Sequence, residues 1–387
     1  MSTQVRNEGE RVPSSDLATQ YLGMKAEIDA AIRGVLLGGE FERADELWDF
    51  EDEFARCCGV THGVGVGSGL AAILLTLTAM GIGAGDEVIT VPNTDISTCS
   101  AITHAGARIV WADVDESTYN IDPARVEPLI TPHTKAILAV SLYGLPADLP
   151  RLREIASRYH LWLIGDAALA FGAAINSVPV GALADASCFS FAPTKVLGAY
   201  GDGGMVVTHD RKLAQKVRRL AGYGEGRRDS MADRDGRLRL LVEGFHLHLD
   251  VLQAAVLRAK LPHVAAWVRR RQEIAAIYGC LLEGAEVVLP SVPAGFTHVY
   301  RSFVVRLEHR DEVRRALVAG GISTSLLYTP PLHLQAAYHY MAHRRGDFPV
   351  VEALARRLLC LPLYPEMSDD SVRLVASELR TAMEACR

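Results

Sequence analysis

The sequence lacks the features that mark secreted, membrane-spanning or nucleic-acid-binding proteins. Its seven cysteines are scattered and form no Cys-x-x-Cys pair, so neither a disulfide framework nor a zinc site is indicated. There is no run of about 18 apolar residues, and the polar N-terminus has no apolar signal core. Lysine and arginine number 40 against 46 aspartates and glutamates, which is not the basic footprint of a nucleic-acid binder. We therefore expect a cytoplasmic protein with reduced thiols, no membrane span and no nucleic-acid partner.

The 387 residues are 49% apolar and 22% charged, an ordinary globular composition. Short β-rich runs alternate with helical stretches such as Ala71–Met80 and Leu149–Tyr159, which predicts an α/β fold with a mostly parallel sheet between helices. Several runs are almost continuously apolar, as in strands buried on both faces. The seven runs are Val64–Val66, Glu87–Val91, Arg108–Ala112, Ala136–Leu142, Leu161–Gly165, Ser187–Phe191 and Met205–Thr208.

The pattern changes near residue 258, where a long helical segment leads into single strands and helices. We interpret the chain as a flexible N-terminal arm (residues 1–16), a large cofactor-binding domain (17–258) and a smaller C-terminal α+β domain (259–387).

Three segments have the residue types that a chemical site needs. Gly63–Leu75 is a strand, a Gly-Ser-Gly turn and a helix, whose first N–H groups favour an anion; alone it is as consistent with a tight turn. Asp166 ends an apolar strand, where ligands of open α/β sheets bind, although a helix-capping role is also common. Lys195 follows another apolar strand in a glycine-rich turn, where burial can lower the pKa of an amine; singly, such a lysine is usually a solvated surface residue.

Read together, these segments are the parts of a pyridoxal phosphate site: a phosphate cup, a partner for the pyridine nitrogen and a Schiff-base lysine. The sequence also resembles the DegT-type (StrS-like) sugar aminotransferases, which depend on pyridoxal phosphate and have the aspartate aminotransferase fold (fold type I). The match keeps its order from about residue 18 onward. The residues that support it include Ser68-Gly69, Gly85-Asp86-Glu87, Asp166-Ala167-Ala168, Phe189-Ser190-Phe191, Pro193-Thr194-Lys195, Gly201-Asp202-Gly203-Gly204, Leu249-Asp250 and Pro331-Leu332-His333-Leu334.

The resemblance implies a role for each matching residue. Lys195 would form the Schiff base with the cofactor, and Asp166 would pair with the pyridine nitrogen. Ser190 and the backbone at Ser68, Gly69 and Leu70 would hold the phosphate. Tyr328 and His333 would lie near the substrate. The relatives are homodimers with shared active sites, so residues around Phe245–Asp250 would reach the partner's cofactor.

The sequence departs from the family pattern at several positions expected to contact the cofactor. Asp95 stands where an aromatic residue usually stacks on the pyridine ring, which an aspartate cannot do. Leu169 replaces a Gln or His, Phe171 replaces a common His, and Leu70 replaces a typical Thr. His246 and His248 replace an Asn and an Arg, but two histidines are weak evidence for a metal, and we expect no metal site.

These features predict an aminotransferase that moves an amino group from an amino acid, L-glutamate by resemblance, to a keto sugar. A nucleotide-activated keto-deoxysugar of secondary-metabolite or polysaccharide biosynthesis is the preferred acceptor, and a keto-cyclitol of the aminoglycoside type is the alternative. An alternative of another class is a regulator that binds pyridoxal phosphate without catalysis, which would tolerate the missing aromatic residue.

Overall fold

The computed structural model describes residues 11–42, 44–224 and 242–386. Its helices are α1 (Leu17–Gly23), α2 (Lys25–Gly38), α3 (Asp45–Cys57), α4 (Gly69–Ala79), α5 (Ile96–His104), α6 (Pro123–Val126), α7 (Leu149–Tyr159), α8 (Arg211–Ala221), α9 (Val251–Lys260), α10 (Val264–Leu281), α11 (Arg310–Ala319), α12 (Pro349–Ala355) and α13 (Asp369–Ala385). The strands are β1 (His62–Val66), β2 (Glu87–Thr90), β3 (Arg108–Trp111), β4 (Thr134–Val140), β5 (Trp162–Asp166), β6 (Ala174–Ile175), β7 (Val178–Pro179), β8 (Ala186–Ser190), β9 (Gly204–Thr208), β10 (Phe296–Thr297), β11 (Phe303–Arg306) and β12 (Leu358–Leu361).

The central sheet has seven strands in the order β1-β9-β8-β5-β4-β2-β3. Strands β8, β5, β4, β2 and β3 are parallel, and β9 runs antiparallel to both of its neighbours. The interior strand β4 is buried from Ala136 to Val140, as its continuous apolar sequence predicts. The α/β fold with a mostly parallel sheet is thereby confirmed, and the carboxyl ends of the parallel strands meet at one edge.

Helix starts at this edge are fixed by short polar side chains. Ser68 caps α4, since its side-chain oxygen accepts a hydrogen bond from the Ala71 N–H at 3.0 Å. Asp95 caps α5 in the same way through the Ser97 N–H at 2.9 Å. Helix α4 has no polar face and is buried along most of its length, which explains its uniformly apolar sequence.

The buried apolar side chains form two main clusters. The large one surrounds the seven-stranded sheet and includes residues from the last third of the chain, among them Leu332, Phe348 and Val351. The small one lies around β11, β12, α11 and α13. Helix α10 spans both, since Val264 and Val268 belong to the large cluster and Ile274 and Tyr278 to the small one. The proposed boundary at residue 258 thus falls inside α9, and the two clusters do not divide the chain at one position.

The described end of the N-terminal arm differs from the expectation of a flexible segment. Val12 is 1% exposed and belongs to the small cluster. Its N–H donates to the Gly321 carbonyl, and its own carbonyl accepts from the Ser323 N–H at 2.9 Å. Residues 1–10 of the expected arm lie outside the described residues. None of the described helices combines the length and apolar composition needed to cross a membrane.

Candidate active site

A cavity of ≈ 240 Å³ lies at the edge where the parallel strands end. It brings together nine residues that the sequence predicts for the site, although they are distant in the chain. These are Ser68, Gly69, Leu70, Asp95, Asp166, Leu169, Ser190, Lys195 and Tyr328. His246 and His333 are not among its lining residues.

Asp166 is the last residue of β5 and is 4% exposed. Its Oδ2 accepts a hydrogen bond from the Thr98 hydroxyl at 2.7 Å, and its Oδ1 accepts one from the Ala168 N–H at 3.1 Å. Burial raises the pKa of this carboxyl, while the two hydrogen bonds and the nearby Lys195 act in the opposite direction. A cation entering the cavity beside Asp166 would therefore find a carboxylate already oriented by two donors.

Lys195 lies in the turn after β8, with its N–H bonded to the Ala192 carbonyl at 2.9 Å. Burial lowers the pKa of its amine, and the positive charge of Arg301 lowers it further. Asp166 and Asp95 oppose this effect through their negative charges. The lowered pKa increases the neutral fraction of the amine, which is the form that attacks a carbonyl carbon.

The start of α4 forms one wall of the cavity next to Ser190. A Cβ added to Gly69 would lie 2.8 Å from the Ser190 Cβ, so only glycine allows the helix start to approach β8 this closely. The first N–H groups of a helix have no partners within it and attract anions. The Ser68 side chain is engaged as the helix cap, and the Ser190 hydroxyl accepts from the Ala192 N–H at 3.3 Å. The first N–H groups of α4 and the Ser190 hydroxyl can therefore donate hydrogen bonds to a phosphate in the cavity.

The positions that depart from the family pattern have different surroundings. Asp95 lines the cavity while its carboxylate accepts hydrogen bonds from the Ser97 N–H and hydroxyl, so its capping function occupies it locally. Leu169 also lines the cavity. Phe171 instead stacks on Phe54 in the core, with ring centroids 4.5 Å apart. It therefore does not replace the missing aromatic contact.

His333 is buried away from the cavity. It is 1% exposed, packs edge-on against Phe348, and its Nε2 lies 3.1 Å from a carboxylate oxygen of Glu352. Burial lowers the pKa of His333 although the hydrogen bond to Glu352 raises it. Glu352 also accepts from the N–H of Gly346 at 2.8 Å, so the pair fixes the segment that leads into α12. The structure thus gives His333 a packing role in this chain.

His246 lies on the surface, outside the cavity of its own chain. Its ring stacks on Tyr223 at 5.0 Å between centroids and meets His248 edge-on at 4.6 Å. The segment is extended along the free edge of β1, where the Gly67 N–H donates to the Leu247 carbonyl at 2.7 Å. Among the described residues, no group of three or more His, Cys, Asp or Glu side chains is placed to hold a metal ion.

Thr98, Thr94 and Arg301 are site residues that the sequence reading missed. The Thr98 hydroxyl bonds to Asp166 and lies 2.8 Å from the Thr94 hydroxyl, so the two threonines form a short chain behind the carboxylate. The spacing of these threonines, four residues apart across the start of α5, places them on one side of the chain and could have suggested a shared function. Arg301 has no local motif that could have identified it.

The chemistry of the cavity fits pyridoxal phosphate. It offers a helix start and a serine for a phosphate, a buried carboxylate for a pyridinium nitrogen, and an amine of lowered pKa for an aldehyde carbon. Because Gly69 has no Cβ, the helix start and Ser190 can lie side by side in the wall that would hold the phosphate.

Comparison with known proteins gives the same picture. The model of the DegT/DnrJ/EryC1/StrS aminotransferase family matches residues 23–380. The chain is 40% identical over 372 residues to a UDP-N-acetyl-3-dehydro-alpha-D-glucosamine 3-aminotransferase of Acidithiobacillus ferrooxidans, covering 96% of this chain and 98% of that one. It is 41% identical over 376 residues to a dTDP-3-amino-3,4,6-trideoxy-alpha-D-glucose transaminase of Streptomyces venezuelae, covering 97% of each.

A solved structure of S. venezuelae DesV in complex with a ketimine intermediate superimposes with a TM-score of 0.92 at 40% identity, over 97% of this chain and 99% of that one. The fold, the contents of the cavity and these matches agree with one another. The chain therefore belongs to the DegT/DnrJ/EryC1/StrS aminotransferase family, whose aminotransferases depend on pyridoxal phosphate.

Proposed function

We propose that this protein transfers an amino group from an amino acid to the keto group of a nucleotide-linked sugar. The single observation that supports this most strongly is that Lys195 and Asp166 share one cavity with the start of α4. The acceptor class rests on the two curated relatives described above, which are named as transaminases of UDP-linked and dTDP-linked sugars. A keto-cyclitol is the alternative acceptor.

When bound, pyridoxal phosphate supplies an electron sink for the carbanion that forms at the substrate carbon. The N–H groups of Gly69 and Leu70, with the Ser190 hydroxyl, would hold its phosphate. The Asp166 carboxylate, oriented by Thr98 and Ala168, would hold a proton on the pyridine nitrogen. Positive charge at this nitrogen is what makes the ring a good electron acceptor.

Lys195 acts twice in this scheme. Its neutral amine would hold the cofactor through the aldehyde carbon, and once released by the donor its Nζ would be the base that takes the proton from the donor's α carbon. Arg301 and burial favour both steps, because each increases the fraction of Lys195 that is uncharged near neutral pH. We therefore expect ping-pong kinetics.

We also propose a homodimer in which His246 and its neighbours reach the partner's active site. Phe245 and Tyr223 are 40% and 53% exposed beside His246, so an apolar and aromatic surface is available there. Location in the cytoplasm is part of the proposal and is supported by seven free thiols, four of which are buried.

The test is an absorbance spectrum of the purified protein with pyridoxal phosphate, before and after L-glutamate. The wild type is expected to show a visible band that glutamate bleaches, and Lys195→Ala is expected to lack the band because the amine that binds the aldehyde is gone. Lys212→Ala is the matched control, since Lys212 is an exposed lysine at the start of α8. The bleached protein should regain the band with a keto sugar nucleotide.

Other outcomes separate the alternatives. Recovery of the band with a keto-cyclitol alone would assign the aminoglycoside-type acceptor. A band that neither glutamate nor other amino acids bleach would indicate a protein that binds the cofactor without catalysis. The absence of any band in the wild type would contradict the proposal.

A further inference from the structure

Lys260 is a lysine whose side chain is buried inside the protein. It is the last residue of α9 and is 1% exposed, although lysine is almost never fully buried in folded proteins unless it has a charged partner. Its Nζ donates a hydrogen bond to the Gly198 carbonyl at 2.8 Å and lies 3.9 Å from the centre of the Tyr200 ring. Both partners belong to the glycine-rich segment that follows Lys195.

These two partners are electrically neutral, so the charge of Lys260 is balanced only in part. Taking an ammonium group out of water is costly, and a carbonyl oxygen and the face of an aromatic ring recover part of that cost. Burial lowers the pKa of Lys260 to about 8, while the negative charge of Glu366 acts in the opposite direction. The ammonium form therefore still predominates at pH 7. An apolar side chain of similar volume often stabilises such a site better, so a lysine here indicates that its hydrogen bond is needed.

The backbone that Lys260 contacts is packed against the residues next to Lys195. A Cβ added to Gly198 would lie 2.2 Å from the Pro193 carbonyl oxygen, so the two residues are in direct backbone contact. The turn is closed at its base by the Ala199 N–H, which donates to the Phe191 carbonyl at 2.8 Å. A displacement of Gly198 would therefore move Pro193, and with it the backbone that carries Lys195.

Helix α9 holds this turn at two points. No backbone N–H of the described residues donates to the Gly198 carbonyl, so Lys260 supplies its hydrogen bond. Two residues further on, the Tyr200 N–H donates to Oε1 of Gln253 at 2.8 Å. Gln253 and Lys260 are seven residues apart, almost two helical turns, which places them on one face of α9. The helix is itself fixed in the core, since Leu257 belongs to the large apolar cluster.

We propose that Lys260 is a positioning residue for Lys195: by holding the Gly198 carbonyl, with Gln253 as the second contact, it fixes the turn against α9 and keeps the Lys195 amine in the cavity with Asp166. This rests on the proposed function, in which Lys195 holds the cofactor, and adds what keeps that amine in place. Lys260 is not among the lining residues of the cavity, so it acts through the turn and not by touching cofactor or substrate.

The first measurement is hydrogen–deuterium exchange of the full-length protein without added cofactor, followed by mass spectrometry of peptides that cover the turn. Lys260→Met removes the charged donor and keeps a side chain of similar length. We expect amides of the turn, such as that of Ala199, to exchange roughly 10-fold faster in this variant, because local opening no longer breaks the bond to Gly198. Unchanged exchange of the turn would overturn the proposal.

Tyr278→Phe is the matched control. The Tyr278 hydroxyl is also buried and also donates to a backbone carbonyl, that of Pro362 at 2.9 Å, but its ring belongs to the small apolar cluster. Its removal should lower the free energy of unfolding and leave exchange of the Lys195 turn unchanged. Equally fast exchange of the turn in Tyr278→Phe would show that Lys260→Met acts by general destabilisation, which would contradict the proposal.

The second measurement is the dissociation constant of pyridoxal phosphate, followed through its visible band. We expect Lys260→Met to raise this constant roughly 10-fold, because the amine is no longer held where the aldehyde carbon binds, and Tyr278→Phe to leave it near the wild-type value. A purely structural function of Lys260 would lower the free energy of unfolding without changing cofactor affinity. An unchanged constant in folded Lys260→Met would therefore also overturn the proposal.

Gln253→Leu keeps the proposal testable if Lys260→Met does not fold, because it removes the other contact between α9 and the turn. We expect exchange of the turn and the dissociation constant of pyridoxal phosphate each to rise several-fold, and a change in neither would count against the proposal. Failure of the proposed function is separately visible. A wild type without the visible band would contradict the aminotransferase, whereas exchange of the turn reports on Lys260 without any cofactor.

Discussion

At the scale of single residues, Asp166 shows how a buried carboxylate is kept ready for a positively charged partner. Desolvation by itself favours the neutral acid, and the Thr98 hydroxyl is the side-chain donor that opposes it. Because the Thr98 oxygen is also within hydrogen-bonding distance of Thr94, it can accept from that hydroxyl while donating to Asp166. Thr98 is therefore a positioning residue that acts through Asp166.

Thr98→Val tests this function. Loss of the donor raises the pKa of Asp166, so a larger fraction of the carboxyl is protonated at a given pH and cannot hold the pyridine nitrogen in its charged form. We expect the acidic limb of the pH–rate profile to move upward by about one pH unit, the shift expected from one charge-assisted hydrogen bond. Thr98→Ser keeps the hydroxyl and should restore the wild-type limb. An unshifted limb in Thr98→Val would mean that the hydrogen bond is irrelevant to catalysis.

The residues that sequence reasoning found are those with a local signal. Lys195 and Asp166 follow apolar strands, and Ser68 begins a helix in a glycine-rich turn. Thr98 is separated from Asp166 by 68 positions and Arg301 from Thr194 by 107, so their pairing follows from tertiary structure alone. His333, which the resemblance places near the substrate, is buried against Glu352 and is not among the lining residues of the Lys195 cavity, so its substrate contact stays a prediction.

At the scale of elements, a buried ion pair joins α3, α8 and the edge strand β1. The Glu51 side chain is fully buried, and its carboxylate accepts hydrogen bonds from both terminal nitrogens of Arg218, at 2.9 and 2.8 Å. The same carboxylate accepts from the Gly65 N–H, and Arg218 donates to the Gly63 carbonyl. These bonds fix the strand that leads directly into the phosphate-binding turn.

We therefore expect Arg218→Met to lower the free energy of unfolding of the whole protein. Removing the arginine takes two hydrogen bonds and an ion pair away from the buried Glu51 carboxylate, which costs about 3 kcal/mol or more in the free energy of unfolding. Chemical denaturation followed by circular dichroism measures this loss. Arg211→Met, an exposed arginine of the same helix, should change stability by less than about 0.5 kcal/mol. Restoration of stability in the double variant with Glu51→Gln would show that the lost ion pair with Glu51 is the cause.

Element boundaries were predicted well where the apolar pattern is long. All seven β-rich runs overlap the strands of the central sheet, and α7 has the predicted bounds. Helices α1 and α2 are separate elements, because the chain leaves helical geometry at Met24. The antiparallel direction of β9 and the two-residue strands β6, β7 and β10 could not be predicted, since direction and such short pairings have no periodicity of their own.

At the scale of the whole molecule, the surface near His246 is the region where we propose that two copies of the chain meet. The extended segment beside β1 presents His246 outward with Tyr223 stacked on it, whereas the Lys195 cavity opens elsewhere on the chain. If two copies share their sites, a defect at His246 and a defect at Lys195 affect different active sites of a hybrid dimer.

Complementation of two inactive variants tests the shared site. Lys195→Ala and His246→Glu are each expected to be nearly inactive alone, the second because a like charge would face the partner's cofactor phosphate. Subunit exchange should restore about one quarter of wild-type activity, since half of the mixed dimers are hybrids with one intact site. Light scattering verifies the dimer, and mixing either variant with itself is the control. No recovery in a verified hybrid would place His246 outside the partner's site.

The residues that line the catalytic cavity are spread along the sequence from Ser68 to Tyr328. During synthesis the ribosome must therefore release most of the chain before the last wall of the cavity can be placed, and the parallel strands between must already have paired. Long-range pairing of this kind is slow to form. We therefore expect pyridoxal phosphate to bind late, after most of the chain has folded.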